Sequence, residues 1–283
     1  MLKNIAPYII SIFIISALFL PSCEPIEADV AAYVQIDSVN VTTDISTQGT
    51  SNHKITDIWF NLDGSRVGTF EIPTKFPVIA EGKRPVSISA GIIKSGIHDF
   101  REVYPFFKII RDTFDFVGAE AIPYYPTFEY KEETKFWIED FEDPGLKLHT
   151  NDSINRLKQI IDPNNQNNHL GHVYLPDTVD AFLVYTKINI KLSTTPIYLE
   201  IEYKSDEAFS VGILTEQING SYEDIRPFSI IKASPEWNKL YLNLAEQFNI
   251  NPGAISYDIY LFFATDQGGK ANVYLDNLKI VSF

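Results

Sequence analysis

From residue 33 onward, apolar residues recur with a period of two and rarely with the period of a helix. The clearest stretch is Ile197–Lys204, where Ile197, Leu199, Ile201 and Tyr203 alternate with Tyr198, Glu200, Glu202 and Lys204. Successive side chains of an extended strand point to opposite faces, so this pattern predicts a strand with one buried face. Tyr33–Val41, Ile55–Leu62, Val67–Ile72, Val86–Ile93, Phe209–Leu214 and Ile255–Ala264 read the same way. They are separated by Pro, Gly, Asn and Asp, the residues that turn a chain. The 20 Phe and 15 Tyr, with no Met beyond Met1, are the composition of sheets rather than of helix bundles. Only Ile154–Ile161 and Leu244–Phe248 read as helical turns. The expectation is an all-β protein.

The strands fall into two blocks. Pro123, Pro126 and the charged run Lys131–Glu132–Glu133 mark a boundary, which places a small β-sandwich at 33–130 and a larger one at 136–283. Tyr124, Tyr125, Phe128 and Tyr130 sit inside that boundary, so the linker is expected to be ordered and to hold the blocks at a fixed angle. In the first block, Asp63–Gly64 supplies the residues that tolerate positive φ in a tight hairpin. With Val67–Gly68–Thr69, Pro77 and Glu81–Gly82–Lys83, it resembles the small Ig- or transthyretin-like and PEGA-type modules of envelope proteins. That resemblance, over roughly 55–91, implies a spacer or docking unit.

Ahead of these blocks, Met1–Leu2–Lys3 is a short basic start and Tyr8–Leu20 an almost unbroken apolar run. A run this short, closed by small residues, predicts a secretory signal peptide over 1–22 rather than a membrane span. Leu20–Pro21–Ser22–Cys23 resembles the bacterial lipobox, which implies cleavage before Cys23 and lipid (palmitate among its acyl chains) on the only thiol of the chain. An ordinary secretory signal, or a signal anchor, with a chance cysteine is the other reading. Residues 23–32 read as a tether; Glu24 and Glu27 just after the cysteine resemble the acidic signal of lipoproteins displayed on the outer face in the Bacteroidetes. The expected address is the outer membrane, by lipid anchor, on its periplasmic or its surface-exposed face.

In the second block, three stretches carry a resemblance. Glu139–Asp140–Phe141–Glu142, Pro235–Glu236–Trp237–Asn238–Lys239–Leu240–Tyr241–Leu242–Asn243–Leu244 and Tyr274–Leu275–Asp276–Asn277–Leu278–Lys279–Ile280 resemble the carbohydrate-binding-module and galactose-binding-like jelly rolls in order and spacing. The resemblance implies a jelly roll whose first and last strands lie side by side, and a binding module rather than an enzyme. It also implies that a structural calcium could bridge those strands through Glu142 and Asp276, with Glu139 or Asp140 as further oxygen donors. A sugar site needs exposed aromatic faces, for which Tyr185, Tyr198, Tyr222, Tyr257 and Tyr260 are the candidates, Tyr198 and Tyr260 foremost. Trp59 and Trp237 read as core, and Trp137 as packing at the junction.

Other chemistry finds little support. A net charge of −14 repels phosphate backbones, so nucleic acid is not an expected partner. One cysteine permits no disulfide within the chain. His169 and His172 are spaced as zinc ligands on a helix would be, but Gly171 and the asparagines before it suggest a loop, and no third ligand is near. There is no Gly-x-Ser-x-Gly elbow and no glycine-rich phosphate loop, and none of the 37 acidic residues is singled out as a glycosidase pair. The sequence therefore points to a non-catalytic, lipid-anchored envelope protein that binds a glycan or another envelope component. The alternative is a structural lipoprotein of an envelope assembly with no small ligand.

Overall fold

The computed structural model describes residues 29–95, 100–191, 196–217, 219–224, 227–248, 254–265 and 269–283. The signal segment, Cys23 and most of the tether lie outside the described residues.

The chain is all-β. Its N-terminal part holds β1 (Ala32–Ile36), β2 (Asn40–Thr42), helix α1 (Ile45–Gln48), β3 (Asp57–Leu62), β4 (Ser65–Glu71), β5 (Thr74–Val78), β6 (Gly82–Ile93), β7 (Arg101–Val103), β8 (Ile110–Phe116), β9 (Ala121–Pro123) and β10 (Thr127–Glu129). One sheet has the order β4-β3-β6-β7, with β8 also on β6; β5-β1-β9 and β10-β2 form two more. Asp63 (φ 50°) and Gly64 (φ 79°) make the tight hairpin between β3 and β4 that the sequence predicts. Alternate residues of these sheets share one core, in which Val34, Phe60, Ile88 and Phe106 are fully buried.

The C-terminal part is a two-sheet jelly-roll sandwich. It comprises β11 (Lys135–Glu139), β12 (Leu157–Asp162), β13 (Asn165–Leu175), β14 (Ala181–Tyr185), β15 (Ile197–Ser205), β16 (Phe209–Glu216), β17 (Tyr222–Asp224), β18 (Ser229–Ile231), β19 (Ser234–Asn243), helix α2 (Ala245–Phe248), β20 (Ser256–Ala264) and β21 (Ala271–Ser282). One sheet runs β12-β13-β21-β15-β19, with β11 added to β21; the other runs β14-β20-β16-β17, with β18 on β16. The first strand pairs antiparallel with the last, Phe136 opposite Val281, so the chain closes on itself as expected. Between the sheets lies a core of Leu199, Ile201, Val211, Ile259, Val273, Leu275 and their neighbours.

Two local expectations change. Ile154–Ile161 does not form a helical turn: Leu157–Asp162 is a strand, because its partner β13 supplies backbone groups along its length. His169 and His172 lie in that partner strand rather than in a loop.

The alternation in Ile197–Lys204 is real, but both faces of β15 are buried. Ile197, Leu199, Ile201 and Tyr203 enter the sandwich core. Tyr198, Glu200 and Glu202 face away from it, and the N-terminal part covers them. Tyr198 joins the N-terminal core with Tyr241 and Val281, in edge contact with Tyr104 and Phe106. Beside it, Glu200 is fully buried: its Oε1 accepts from the Tyr104 hydroxyl at 2.6 Å and the Tyr130 hydroxyl at 2.7 Å. Its Oε2 lies 2.9 Å from Nζ of Lys239. Burial works to raise the Glu200 pKa, but Lys239, then Lys279, then the Tyr104 hydroxyl outweigh it and hold the carboxyl ionised below its ordinary value. Burial depresses the Lys279 ammonium to about 8, partly offset by Glu200.

Candidate functional site

A cleft of about 720 Å³ lies between the N-terminal part and the outer face of the β13-β21-β15-β19 sheet. Its floor is Glu202 on β15 and Asp276 on β21, which are direct cross-strand partners. A slip in register between Glu200 and Glu202, with Asn277 in the left-handed region at φ 48°, resets the alternation of β21. Leu275 and Leu278 both enter the core in consequence, and Asp276 and Lys279 both stay on the outer face. Asparagine tolerates that conformation better than most residues.

The loop before β3 forms the facing wall, and two lysines of the sheet hold it down. Nζ of Lys279 donates to the Thr50 carbonyl and Nζ of Lys239 to the Asn52 carbonyl, each at 2.7 Å. Gly49 lets the loop pass this close: it has φ 69°, and a Cβ there would sit 3.0 Å from Cε of Lys279. Across the junction, Oε2 of Glu202 accepts from Nδ2 of Asn52 at 3.0 Å, and its Oε1 lies 3.4 Å from Nζ of Lys239. Asn165, Asn167 and Asn168 at the start of β13 form the third side, and Ile45 and Trp237 supply apolar surface. The Trp237 side chain is 40% exposed, so it is a wall of the cleft and not the core residue the sequence suggested. The leucines and tyrosines that follow it along β19 are what suggest a core position. It stands instead on the outer face, in phase with Lys239 and Tyr241, beyond the area that the N-terminal part covers.

The cleft is strongly acidic. Burial raises the Asp276 pKa to about 7; Glu202 and Glu142 push it the same way, against hydrogen bonds from Asn168 and the Asn277 N–H. The donors are Nδ2 of Asn168 at 3.2 Å and the Asn277 N–H at 2.7 Å. Glu142 faces the same cleft, but both of its oxygens turn to His169: the N–H donates at 2.7 Å and Nδ1 lies at 2.8 Å. Glu139, whose pKa burial raises, is fully buried and accepts from the N–H groups of Phe141 and Lys147. The structure thus brings Glu142 and Asp276 to one cavity, with each carboxylate already taken by protein donors. Among the described residues, no group of three or more His, Cys, Asp or Glu side chains is arranged to hold a metal ion.

Tyr198 and Tyr260 are not sugar platforms. Each is 2% exposed. Tyr198 points out of its own sandwich as the alternation implied, but onto the N-terminal part, where its hydroxyl donates to Glu102. Tyr260 lies over Gly212, where an added Cβ would fall 2.1 Å from the ring. Trp137 packs against the C-terminal core and not at the junction. Tyr222, 56% exposed, does present its ring, on the other sheet; an aromatic surface on the same outer face as Tyr198 lies further along it. His172 and Tyr274, direct partners on β13 and β21, stack with centroids 4.5 Å apart and planes at 7°. Tyr174, 41% exposed, follows on β13. Nε2 of His172 lies 3.2 Å from Oδ1 of Asn272, whose Nδ2 donates to Asp206. These residues continue the β21 face that carries Asp276, two and four positions along the strand.

No family model matches the chain, and no curated protein matches it. Solved structures of similar shape include carbohydrate-binding modules. A family 30 module shares 16% identity over 52% of this chain and 81% of its own, with a TM-score of 0.37. A family 29 module complexed with cellulohexaose shares 12% over 53% of this chain and 93% of its own, at 0.34. A carbohydrate-binding module of the β-sandwich superfamily shares 14% over 78% and 83%, at 0.32. Likeness at this level carries no argument about what this chain binds.

Proposed function

We propose that the protein is a non-catalytic glycan-binding protein, held at the outer membrane by lipid on Cys23, whose sugar site is the cleft between its two parts. The observation that carries the reading is the half-exposed Trp237 ring beside the carboxylates and amides of Glu202, Asp276, Asn168 and Asn277. An indole face takes the apolar side of a sugar ring, while carboxylates and amides placed around it bind hydroxyl groups. The His172–Tyr274–Tyr174 surface continues the cleft in the open and would support further units of an extended chain. For the anchor, the support is the sequence of Leu20–Pro21–Ser22–Cys23 after an apolar run.

A glycan array and calorimetry on the chain from Cys23 onward test the site. Binding of uncharged oligosaccharides is expected, with at least a tenfold loss in Trp237→Ala and no change in Ile230→Ala, a substitution on the far sheet. Binding unaffected by Trp237→Ala refutes the cleft. No sugar binding, together with a stoichiometric envelope protein in a membrane pull-down, favours an assembly role instead. The mass of the native N-terminus decides the anchor: a mature chain that starts elsewhere, or carries no acyl mass on Cys23, removes it.

A further inference from the structure

The described chain enters the fold beside an exposed apolar patch. Val30 is 63% exposed, Ile79 69% and Val117 46%. They belong to one end of the N-terminal part. Ala32 pairs with Val78, so Ile79 stands next to the incoming chain. The Ala119 N–H donates to the Ala31 carbonyl at 3.0 Å, and a Cβ on Gly118 would meet Cβ of Val30 at 3.1 Å. Gly118 and Ala119, also exposed, fill the gap between the larger side chains. Isolated exposed apolar residues are ordinary, but three at one end of the fold, with Gly118 and Ala119 beside them, mark a contact surface.

What covers the patch is indicated by where the chain comes from. Only Glu24 to Asp29, six residues, separate Cys23 from Val30. Seven peptide steps span at most about 25 Å when fully extended, so an acyl chain on Cys23 keeps this end of the molecule within that distance of the bilayer. We infer that Val30, Ile79 and Val117 form a lipid-docking patch that seats the protein on a neutral bilayer surface. The inference rests on the lipid-anchor reading of Cys23. Asp29, Glu81, Asp115 and Glu120 are exposed around the patch and limit it to the boundary of headgroups and acyl chains. One acyl chain gives marginal binding, and a second, apolar contact makes the attachment firm. Seating this end on the membrane also fixes which way the rest of the molecule faces.

The test bypasses the native lipid. The chain from Cys23 onward, which contains every described residue, is coupled through its single thiol to a maleimide lipid in phosphatidylcholine vesicles with brominated acyl chains. Tryptophan is introduced by Val117→Trp or Ile79→Trp, and the emission of Trp59, Trp137 and Trp237 is subtracted using the parent chain. Quenching of at least half the added emission is expected at both positions and none for Ile230→Trp, with the quenching at Val117→Trp lost when Ile79→Asp is added. Added emission that stays unquenched in vesicle-bound protein overturns the proposal. So does emission equally shielded in the untethered chain, since the patch is then covered by protein; dependence on concentration would identify a second copy as the cover. Failure of the anchor reading shows separately, as a native mass without acyl groups on Cys23.

Discussion

Asp276→Asn should make the protein more stable at pH 8 than the parent chain. Asp276 is only 7% exposed, and burial, with Glu202 and Glu142 adding to it, holds its carboxyl at about 7 against an ordinary 3.8. The native state therefore binds a proton at this site more tightly than the unfolded chain does. Between pH 4 and 7 the native state carries more protons, so stability falls as pH rises across that window. The slope approaches 1.4 kcal/mol per pH unit, and the whole window is worth roughly 4 kcal/mol at most, or about 2–4 kcal/mol where cleft water screens the charge. Asparagine keeps an acceptor for the Asn277 N–H, and the Asn168 amide can turn to present its oxygen. Denaturant unfolding of both chains from pH 4 to 8 reads the difference directly: near zero at pH 4, rising to about 2–4 kcal/mol in favour of the variant at pH 8. A difference that does not change with pH refutes the argument, because it would show that Asp276 is ionised throughout. Calcium supplies a second arm. If millimolar calcium raises the melting temperature of the parent at pH 8 but not that of Asp276→Asn, the carboxylates take up a cation, with Asp276 among its ligands.

Glu200→Gln removes the nearer counter-charge of the buried Lys239 and a counter-charge of Lys279, leaving Glu202 at 3.4 Å from Lys239, and should cost roughly 3–5 kcal/mol in denaturant unfolding. A loss below about 1 kcal/mol would mean that water reaches the junction. Gly212→Ala drives a methyl group into the buried ring of Tyr260 and should cost about 1–3 kcal/mol, read as a lowered melting temperature with sugar binding intact in what remains folded. Gly49→Ala strains a φ of 69° and crowds Lys279; a loss of about 1 kcal/mol or more is expected, and sugar binding should weaken with it because the loop walls the cleft.

The strands were legible because a period of two is a local property, and so was the closure of β11 on β21, carried by motifs at the two ends of one block. Turn residues such as Asp63–Gly64 were legible for the same reason. Burial on the second face of β15 was not. Tyr198, Glu200 and Glu202 look like a solvent face in the sequence, and only contact with Tyr104 and Tyr130, about 70 to 100 positions earlier, and with Asn52, about 150 earlier, makes them interior. The surface position expected of Tyr198 fails for the same reason. Alternation identifies which residues leave the core, but not which of them a neighbouring part of the chain then covers. Trp237 had one available signal, its even spacing from Lys239 along β19, which puts it on the face of a charged residue and not on the face of Leu240 and Leu242. Asp276 and Glu142 could be named from motif position, but their engagement by Asn168, Asn277 and His169 depends on a turn and a register slip that the sequence does not display.

The junction explains why the cleft should hold its shape without a ligand. An apolar interface alone tolerates small slides, since hydrophobic contact is not directional. Glu200 cannot tolerate them: a buried carboxylate is stable only while Tyr104, Tyr130 and Lys239 all reach it, and two of those three come from the other side of the junction. The same holds for the lysines, whose ammonium groups are capped by carbonyls of the facing loop, Thr50 for Lys279 and Asn52 for Lys239. A displacement of an ångström would break several charge-assisted hydrogen bonds together. The wall that carries Asn52 is therefore fixed to the floor that carries Glu202 before anything binds. A sugar entering the cleft would meet a preformed site, with little ordering cost in the protein and correspondingly little change in its shape.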